Sequence, residues 1–145
     1  VNSVSLLKNS TATKVTGIDF APNMIEYARN MAAQENVADQ CEFINDDFLN
    51  YNWGNTEFDV SVALGVFDYV EDAKRFIKTM NDLTKKAFVI SWPENGVRMA
   101  LRRMRYTCPL FHYTEQSIRD LHEKCGLKDL LFVKSEGGWI TVAYK

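Results

Sequence analysis

The stretch Val15-Thr16-Gly17-Ile18-Asp19-Phe20-Ala21-Pro22-Asn23-Met24 decides the fold. Its first five residues are typical of a short buried strand that ends on an acid. Pro22 suits the first position of a following helix, because that position needs no backbone N–H donor. A carboxylate at the carboxyl end of a parallel strand is where doubly wound α/β folds bind the two hydroxyls of a ribose. The alternative is that Asp19 only caps the helix or loop that follows it.

The sequence before Asp19 lacks a motif that usually accompanies such an acid. In dinucleotide-binding folds a glycine-rich loop precedes the acid by about 20 residues. Here Gly17, inside the predicted strand, is the only glycine before Asp19. The sequence therefore predicts a ribose-binding acid without the loop that normally binds the rest of the cofactor.

Length and composition indicate one ordinary globular domain over residues 1–145. The chain is 46% hydrophobic and 25% charged, and 17 basic against 19 acidic residues leave a net charge of −2. Such a balance argues against nucleic acid and against a membrane surface as partners. The apolar runs are too short to span a membrane and no signal peptide is visible, so we expect a cytoplasmic protein. The three cysteines, Cys41, Cys108 and Cys125, have no C-x-x-C spacing, which predicts reduced buried thiols and no metal site.

Apolar clusters along the chain alternate between strand and helix periodicity. Strands are predicted at Val15–Phe20, Cys41–Asn45, Phe58–Leu64 and Ala87–Trp92, helices at Asn23–Gln34, Glu71–Thr84 and Gly96–Tyr106 and after Thr114, and a hairpin from Leu130–Glu136 and Trp139–Tyr144 around Gly137-Gly138. In the helix Asn23–Gln34, the residues Met24, Ala28 and Met31 form the predicted buried stripe. This order is that of a mostly parallel α/β sheet that ends in an antiparallel hairpin.

The carboxyl ends of the predicted strands carry residues suited to a small ligand. Open α/β sheets bind ligands at this edge. The residues found there are acids that accept hydrogen bonds, aromatics that cover a ring, and a glycine that permits close backbone approach: Asp19-Phe20, Asp46-Asp47-Phe48, Leu64-Gly65 and Trp92.

With these motifs in order, residues 13–145 resemble the class I, Rossmann-like S-adenosylmethionine-dependent methyltransferases. The resemblance rests on Val15–Met24 with Ala28-Arg29, on Phe43–Phe48, on Phe58–Phe67, and on Ala87–Trp92. It implies a three-layer α/β/α fold whose first strand and Gly-x-Gly loop lie before residue 1, with Val4–Lys8 as the tail of the next helix. An open sheet edge of this kind favours pairing with a second chain, so a homodimer is expected.

The resemblance also implies roles for individual residues at the cofactor site. Asp19 is expected to accept hydrogen bonds from the ribose hydroxyls, while Phe20 and Met24 pack on the adenine. Of the neighbouring acids Asp46 and Asp47, the spacing after Phe43 favours Asp47 as the acceptor of the adenine amino group. The Phe48 backbone N–H then meets a ring nitrogen, and the backbone at Leu64-Gly65 lines the methionine part of the cofactor.

The substrate side is predicted from residue types after the third and fourth strands. His112 and Asp68 are the candidate general bases, with a structural histidine and a cap of the helix Glu71–Thr84 as the respective alternatives. Arg98, Arg102 and Arg105 share one helical face that can bind an anionic substrate or simply face solvent. Aromatic residues at this edge predict a pocket wall, with an ordinary core as the alternative; they are Phe67, Tyr69, Trp92, Phe111 and Tyr113.

The sequence thus predicts S-adenosylmethionine-dependent methyl transfer to a small or medium-sized molecule. The main alternative is a non-catalytic methyltransferase-like module that acts in dimerisation or partner binding, because the glycine loop is absent. A nicotinamide-dependent oxidoreductase also uses an acid at a strand end, but Asp46-Asp47-Phe48 and the terminal hairpin disfavour it.

Overall fold

The computed structural model describes residues 2–93, 109–135 and 138–145. Its helices are α1 (Asn2–Asn9), α2 (Pro22–Gln34), α3 (Ala73–Leu83) and α4 (Glu115–Lys124), with a 3₁₀ turn at Ala38–Gln40. Its strands are β1 (Val15–Asp19), β2 (Cys41–Asn45), β3 (Phe58–Ala63), β4 (Thr84–Pro93), β5 (Leu130–Ser135) and β6 (Gly138–Tyr144). Internal contacts divide the chain into two compact units, Val1–Gly54 and Asn55–Lys145.

The first unit is built on a parallel pair of strands. β1 and β2 run in register from Val15 opposite Cys41 to Asp19 opposite Asn45. The strands therefore end at the same edge, as the sequence predicts. At Gly17 an added Cβ would lie 3.1 Å from the Phe43 ring and 3.2 Å from the Ser3 hydroxyl. Glycine at this position therefore lets α1 approach the sheet closely.

The buried face of helix α2 differs in part from the predicted one. Ile25 and Ala32 are its buried residues, whereas Met24 is half-exposed. The predicted stripe is therefore wrong at Met24, whereas Ala28 and Met31 are partly buried. The helix buries the branched Ile25 and the small Ala32, and the longer methionine side chain at the start of the helix stays outside.

The second unit is a four-stranded sheet in the order β3-β4-β6-β5. β3 and β4 are parallel, and β6 pairs antiparallel with both β4 and β5. The predicted C-terminal hairpin is confirmed, with Ser135 opposite Gly138. Helix α4 also begins as predicted: Thr114 caps it in a reciprocal hydrogen-bonded pair with Ser117, and Gly126 follows its end at φ 78°.

Strand β4 begins three residues before the predicted Ala87. The sequence does not predict a strand here, because the three added residues, Thr84, Lys85 and Lys86, are polar. In the structure the two lysines are exposed and form ion pairs with Glu57 and Asp59, each at 2.9 Å. Helix α3 ends at Leu83, so strand and helix meet with no residue between them. The Thr84 hydroxyl fixes this joint, because it lies 2.6 Å from the Met80 carbonyl and 2.6 Å from the Ser61 hydroxyl.

Helix α3 begins later than predicted, at Ala73 instead of Glu71. Its cap is Asp72, whose side chain accepts a hydrogen bond of 2.9 Å from the Arg75 backbone N–H. The interpretation of Asp68 as the cap of this helix is therefore wrong.

The core of the second unit lies between the sheet and helices α3 and α4. Phe88, Ile90 and Trp92 alternate along β4 and are almost completely buried. Phe76 of α3 contacts Phe67 edge to face, and His122 of α4 contacts Trp92 in the same way. The helices of residues 2–93, 109–135 and 138–145 all fall short of the length and apolar character needed to cross a membrane.

Candidate cofactor and substrate site

The predicted site residues form two groups, one in each unit. Asp19, Phe20, Met24, Asp46, Asp47 and Phe48 belong to the first unit, and Leu64, Gly65, Phe67, Asp68, Tyr69, Trp92, His112 and Tyr113 to the second. Arg98 and Arg102 lie outside the described residues, as do the predicted helix Gly96–Tyr106 and Cys108.

In the first unit, the ends of β1 and β2 are tied together beside Asp19. The Asp19 carbonyl accepts hydrogen bonds from the Asp46 backbone N–H at 3.2 Å and from the Asn45 side-chain amide at 2.9 Å. Asn45 was seen in the sequence only as the end of a strand. Its side chain bonds the end of β2 to the end of β1, and so fixes the spacing between Asp19 and Asp47, which are predicted to bind opposite ends of an adenosine.

The two oxygens of the Asp19 carboxylate differ: Oδ1 accepts a hydrogen bond from the backbone, and Oδ2 remains open to a ligand. Its Oδ1 accepts a hydrogen bond of 2.9 Å from the Ala21 N–H, which shapes the turn into α2. This is the loop-capping role that was the alternative to ribose binding. A carboxylate offers about four lone-pair sites. Within the described residues, Oδ2 has no hydrogen-bond partner, so the carboxylate can still accept bonds from a ligand.

Asp46 and Asp47 are exposed acids in a tight turn. Asp46 Oδ1 accepts from the Asp47 N–H at 2.7 Å. Asp47 accepts from the Leu49 N–H at 2.9 Å and from the Asn50 amide at 2.5 Å. These bonds hold the turn in one shape and leave further lone pairs on both carboxylates for a ligand.

The apolar residues predicted to pack on the adenine are accessible. Phe20 is 76% exposed and Met24 is half-exposed at the start of α2, next to Asp19. Phe48 is partly buried and forms an edge-to-face contact with Trp53, whose indole N–H donates to the Phe48 carbonyl at 3.1 Å. An exposed aromatic beside a strand-end acid is a surface on which a flat heterocycle can stack.

In the second unit, the chain turns sharply after β3. Gly65 has φ 69°, a conformation that costs other residues roughly 1–2 kcal/mol. Its N–H donates to the Ser91 hydroxyl at 2.8 Å, which ties the turn to β4. Nothing in the sequence distinguishes Ser91 from other small polar strand residues. Leu64 and Gly65 are both exposed, so this turn is open to a ligand.

Asp68 and Tyr113 lie close together after β3 and β4. Asp68 is 3% exposed, and its carbonyl accepts from the Phe111 N–H at 2.8 Å. The Tyr113 N–H donates to the Pro93 carbonyl at 2.9 Å. Burial raises the pKa of Tyr113, and the charge of Asp68 raises it further. Tyr113 is therefore protonated at neutral pH, and its hydroxyl donates to the Val70 carbonyl at 3.4 Å.

The aromatic residues predicted as a pocket wall differ in exposure. Phe67, Trp92 and Tyr113 are buried and pack on one another, with ring centroids 4.4–6.2 Å apart. These three residues therefore form an ordinary core, which was the alternative to a pocket wall. Tyr69 is more than one third exposed, and Phe111 is partly buried.

The two histidines occupy opposite environments. His112 is exposed, whereas His122 is fully buried in α4. His122 Nδ1 lies 2.8 Å from the Ile118 carbonyl and Nε2 lies 3.5 Å from the Thr141 hydroxyl. That hydroxyl accepts a bond of 2.8 Å from the Trp92 indole. His122 therefore has a structural role, in a chain of polar contacts that the sequence alone does not reveal.

Two of the three thiols lie within the described residues, and neither forms a disulfide there. Cys41 and Cys125 are free and half-buried, less buried than predicted. Burial raises the pKa of both thiols, so they are neutral at pH 7. Within the described residues, no group of three or more His, Cys, Asp or Glu side chains is placed to hold a metal ion.

Several solved structures similar to this chain are described as methyltransferases. Magnesium protoporphyrin IX methyltransferase from Synechocystis PCC 6803, with bound SAH, is 17% identical with a TM-score of 0.74, and the match covers 99% of this chain and 68% of that one. A putative O-methyltransferase from Nostoc punctiforme PCC 73102 is 15% identical with a TM-score of 0.80, covering 98% and 47%. An O-methyltransferase family 2 protein from Planctomyces limnophilus DSM 3776, in complex with apigenin, is 15% identical with a TM-score of 0.79, covering 98% and 45%.

These similarities confirm the Rossmann-like α/β fold with its C-terminal antiparallel hairpin. The chain spans between about half and two thirds of the length of these three proteins. The model of one sequence family, described as a methyltransferase domain, matches residues 2–87, more than half of the chain. This match agrees with the order of the strands and with the acids at their ends. The chain therefore belongs to the methyltransferase domain family.

Proposed function

We propose that this chain forms part of an enzyme that transfers a methyl group from S-adenosylmethionine to a small or medium-sized molecule. The observation that carries the proposal is the Asp19 carboxylate at the end of β1, which keeps an open acceptor oxygen beside the acidic turn at the end of β2. Two of the similar solved structures hold SAH and SAM, and one holds apigenin, which supports this choice of cofactor and substrate size. The family assignment also argues against the nicotinamide-dependent alternative.

The first-unit residues have the right chemistry for an adenosine. In this proposal the Asp19 carboxylate accepts hydrogen bonds from the two ribose hydroxyls, and Phe20 with Met24 covers one face of the adenine. Asp47 accepts from the adenine amino group, and the Phe48 N–H donates to a ring nitrogen. Asp46 supports the turn that positions Asp47, since its carboxylate holds the Asp47 N–H.

The second-unit residues are proposed for the methionine part of the cofactor and for the methyl acceptor. The exposed turn at Leu64-Gly65 offers backbone atoms to the methionine chain. Tyr69 borders the methyl acceptor, while buried Phe67 and Trp92 support that region from the core. The buried Tyr113 is proposed to support this region as well; burial and the charge of Asp68 keep its phenol protonated, and the phenol donates to the Val70 carbonyl. Arg98 and Arg102 are kept as proposed contacts for an anionic acceptor.

Methyl transfer is a displacement in which the acceptor attacks the methyl carbon in line with the leaving sulfur. The cofactor supplies the activated methyl group, so the protein mainly orients the acceptor and excludes water. An acceptor hydroxyl or ammonium must also lose its proton to a base. His112 is accessible to an external substrate, whereas Asp68 is buried. We therefore assign the role of the base to His112. Asp68 instead helps to keep the neighbouring Tyr113 protonated.

Calorimetry with S-adenosylhomocysteine tests the proposal directly. We expect the complete polypeptide to bind it and the Asp19→Asn variant to bind about 10- to 100-fold more weakly, because a hydrogen bond to a charged group contributes about 1.5–3 kcal/mol. Asp39→Asn removes an exposed acid in the 3₁₀ turn, which is not among the proposed ligand residues, and is the control, with affinity unchanged. Absence of binding by the complete polypeptide would contradict the enzyme proposal and favour the non-catalytic module.

A further inference from the structure

The turn that follows β2 contains a small aromatic cluster. Residues 46–54 read as a polar loop in the sequence, but Tyr51 and Trp53 are partly buried in it. The Trp53 ring contacts the Phe48 ring edge to face, with centroids 5.7 Å apart, and contacts the Tyr51 ring in the same way at 4.8 Å. All three rings belong to the first unit. The turn therefore has a packed core of its own.

Trp53 is connected to Asp47 through a single peptide group. The Trp53 indole N–H donates to the Phe48 carbonyl at 3.1 Å. The N–H of the same peptide group, which belongs to Leu49, donates to Asp47 Oδ1 at 2.9 Å. A peptide group is planar, so a bond that fixes its carbonyl also fixes the direction of its N–H. The Trp53 indole therefore sets the donor that orients the Asp47 carboxylate.

The peptide group on the other side of Phe48 is held in a similar way. Its carbonyl, that of Asp47, accepts from the Asn50 N–H at 3.1 Å and from the Tyr51 N–H at 2.8 Å. Its N–H is that of Phe48, the proposed donor to an adenine ring nitrogen. Asn50 also donates through its side-chain amide to Asp47 Oδ2 at 2.5 Å. Residues 50–53 therefore hold both groups that are proposed to recognise the adenine.

The held turn has a consequence for the base that the site accepts. On the basis of the proposed function, we propose that Trp53 is a positioning residue that makes the site selective for adenine. Adenine presents an amino group, which donates, next to a ring nitrogen, which accepts. The Asp47 carboxylate and the Phe48 N–H are the complementary pair. Groups that are fixed before a ligand binds discriminate best, because a mobile carboxylate turns toward any donor that is present.

S-inosylhomocysteine is the probe for this selectivity. It differs from S-adenosylhomocysteine only in the base, where a carbonyl replaces the amino group and the neighbouring ring nitrogen carries a proton. Donor and acceptor are thereby exchanged, so Asp47 would face a carbonyl oxygen and the Phe48 N–H would face another N–H. A site built for one pattern rejects the other, because its polar groups lose their partners. The ribose and the homocysteine are identical in both ligands, so contacts to them cancel in the ratio of the two dissociation constants.

Calorimetry with both ligands on the complete polypeptide encoded by the gene tests the inference. We expect the wild type to bind S-adenosylhomocysteine at least about tenfold more tightly than S-inosylhomocysteine. Trp53→Phe keeps an aromatic ring and removes the indole N–H. It is expected to reduce this preference by about fivefold, the factor that corresponds to one ordinary hydrogen bond. A loss of folded protein would weaken the binding of both ligands by the same factor and leave the preference unchanged.

Two further variants are the controls. Trp139→Phe is the same substitution at a partly buried tryptophan of β6, which is not among the proposed ligand residues, and both affinities are expected to stay unchanged. Asp19→Asn is expected to weaken the binding of both ligands alike, because both carry the ribose, and to keep the preference. If the Trp53→Phe variant does not fold or does not bind, site-specific incorporation of benzothienylalanine in place of Trp53 repeats the test. This residue carries a sulfur where indole carries its N–H, so the packing is retained.

The possible results distinguish this inference from the proposed function. A preference that Trp53→Phe reduces and Trp139→Phe does not supports the inference. An unchanged preference in the Trp53→Phe variant overturns the inference and leaves the proposed cofactor in place, and equal binding of both ligands by the wild type does the same. Absence of S-adenosylhomocysteine binding by the wild type overturns both.

Discussion

His122 shows how one buried residue connects three elements of the second unit. Its Nδ1 meets a backbone carbonyl, so this nitrogen carries the proton and Nε2 accepts from the Thr141 hydroxyl. The hydroxyl can then accept from Trp92, and each group in the chain has a partner. Burial disfavours the charged imidazole, because a protonated ring inside the core would lose its hydration.

Acid is therefore expected to weaken the fold through His122. Burial lowers the pKa of His122 below its ordinary value of about 6.5, and the bond to the Ile118 carbonyl offsets this only in part. The unfolded chain takes up a proton near pH 6.5 and the folded chain does not. The stability contributed by His122 is thus complete above pH 6.5 and is lost, by up to about 1.4 kcal/mol per pH unit, as the pH falls toward the lowered pKa.

Urea denaturation between pH 7.5 and 5 measures this loss. The His122→Gln variant is expected to be less stable at pH 7.5 and to lose less stability on acidification. His112→Gln changes an exposed ring and serves as the control, with the acid loss retained. Parallel curves for wild type and the His122→Gln variant would show that other groups cause the acid sensitivity.

At the scale of elements, helix starts and hairpins are predictable when local chemistry decides them. The Thr114 cap and the pairing of the two hairpin strands are read correctly from the sequence, because a cap and a hairpin depend on neighbouring residues. Asp68 and Asp72 are both acids just before an apolar helix, and only the fold shows that Asp72 is the cap. The early start of β4 at Thr84 was missed because its lysines pair with acids distant in the sequence.

Removal of the α4 cap has a calculable cost. Thr114→Ala removes the hydroxyl that accepts from the Ser117 N–H, and loss of such a cap costs about 1 kcal/mol. Thermal denaturation followed by circular dichroism is expected to show a lower midpoint. Thr13→Ala, the same substitution in an exposed segment before β1, is the control and is expected to leave the midpoint unchanged.

At the scale of the whole molecule, the sequence predicts the class of fold better than it predicts the site. Apolar runs are local signals, and they identified every described strand, whereas the two groups of site residues stay predictions. Whether Trp92 lines a pocket or fills a core depends on packing by Phe67 and Tyr113, which no local pattern encodes. The division into units at Gly54 likewise reflects contacts between distant residues.

The two units are expected to differ in local stability. Strand β4 is paired on both sides, whereas β1 is paired only with β2 among the described residues. Two-stranded pairs are marginal, and central strands open least often. In the 145-residue chain, hydrogen exchange followed by NMR should be at least tenfold slower for the amides of Phe88 and Ile90 than for Ile18 and Ile44, after correction for intrinsic rates. Uniform exchange across both sheets would contradict this and indicate one cooperative unit.

The direct joint between α3 and β4 has a consequence for how this gene tolerates changes in length. The Thr84 hydroxyl and the Lys145 ammonium both anchor the joint, the latter through the Asn81 and Thr84 carbonyls at 2.7 Å. Because strand side chains alternate, one inserted residue at this point would turn Phe88 and Trp92 to the opposite side of the sheet. Insertions and deletions at the joint between α3 and β4 are therefore expected to be selected against, whereas the polar loop around Asn52 and Gly54 tolerates them.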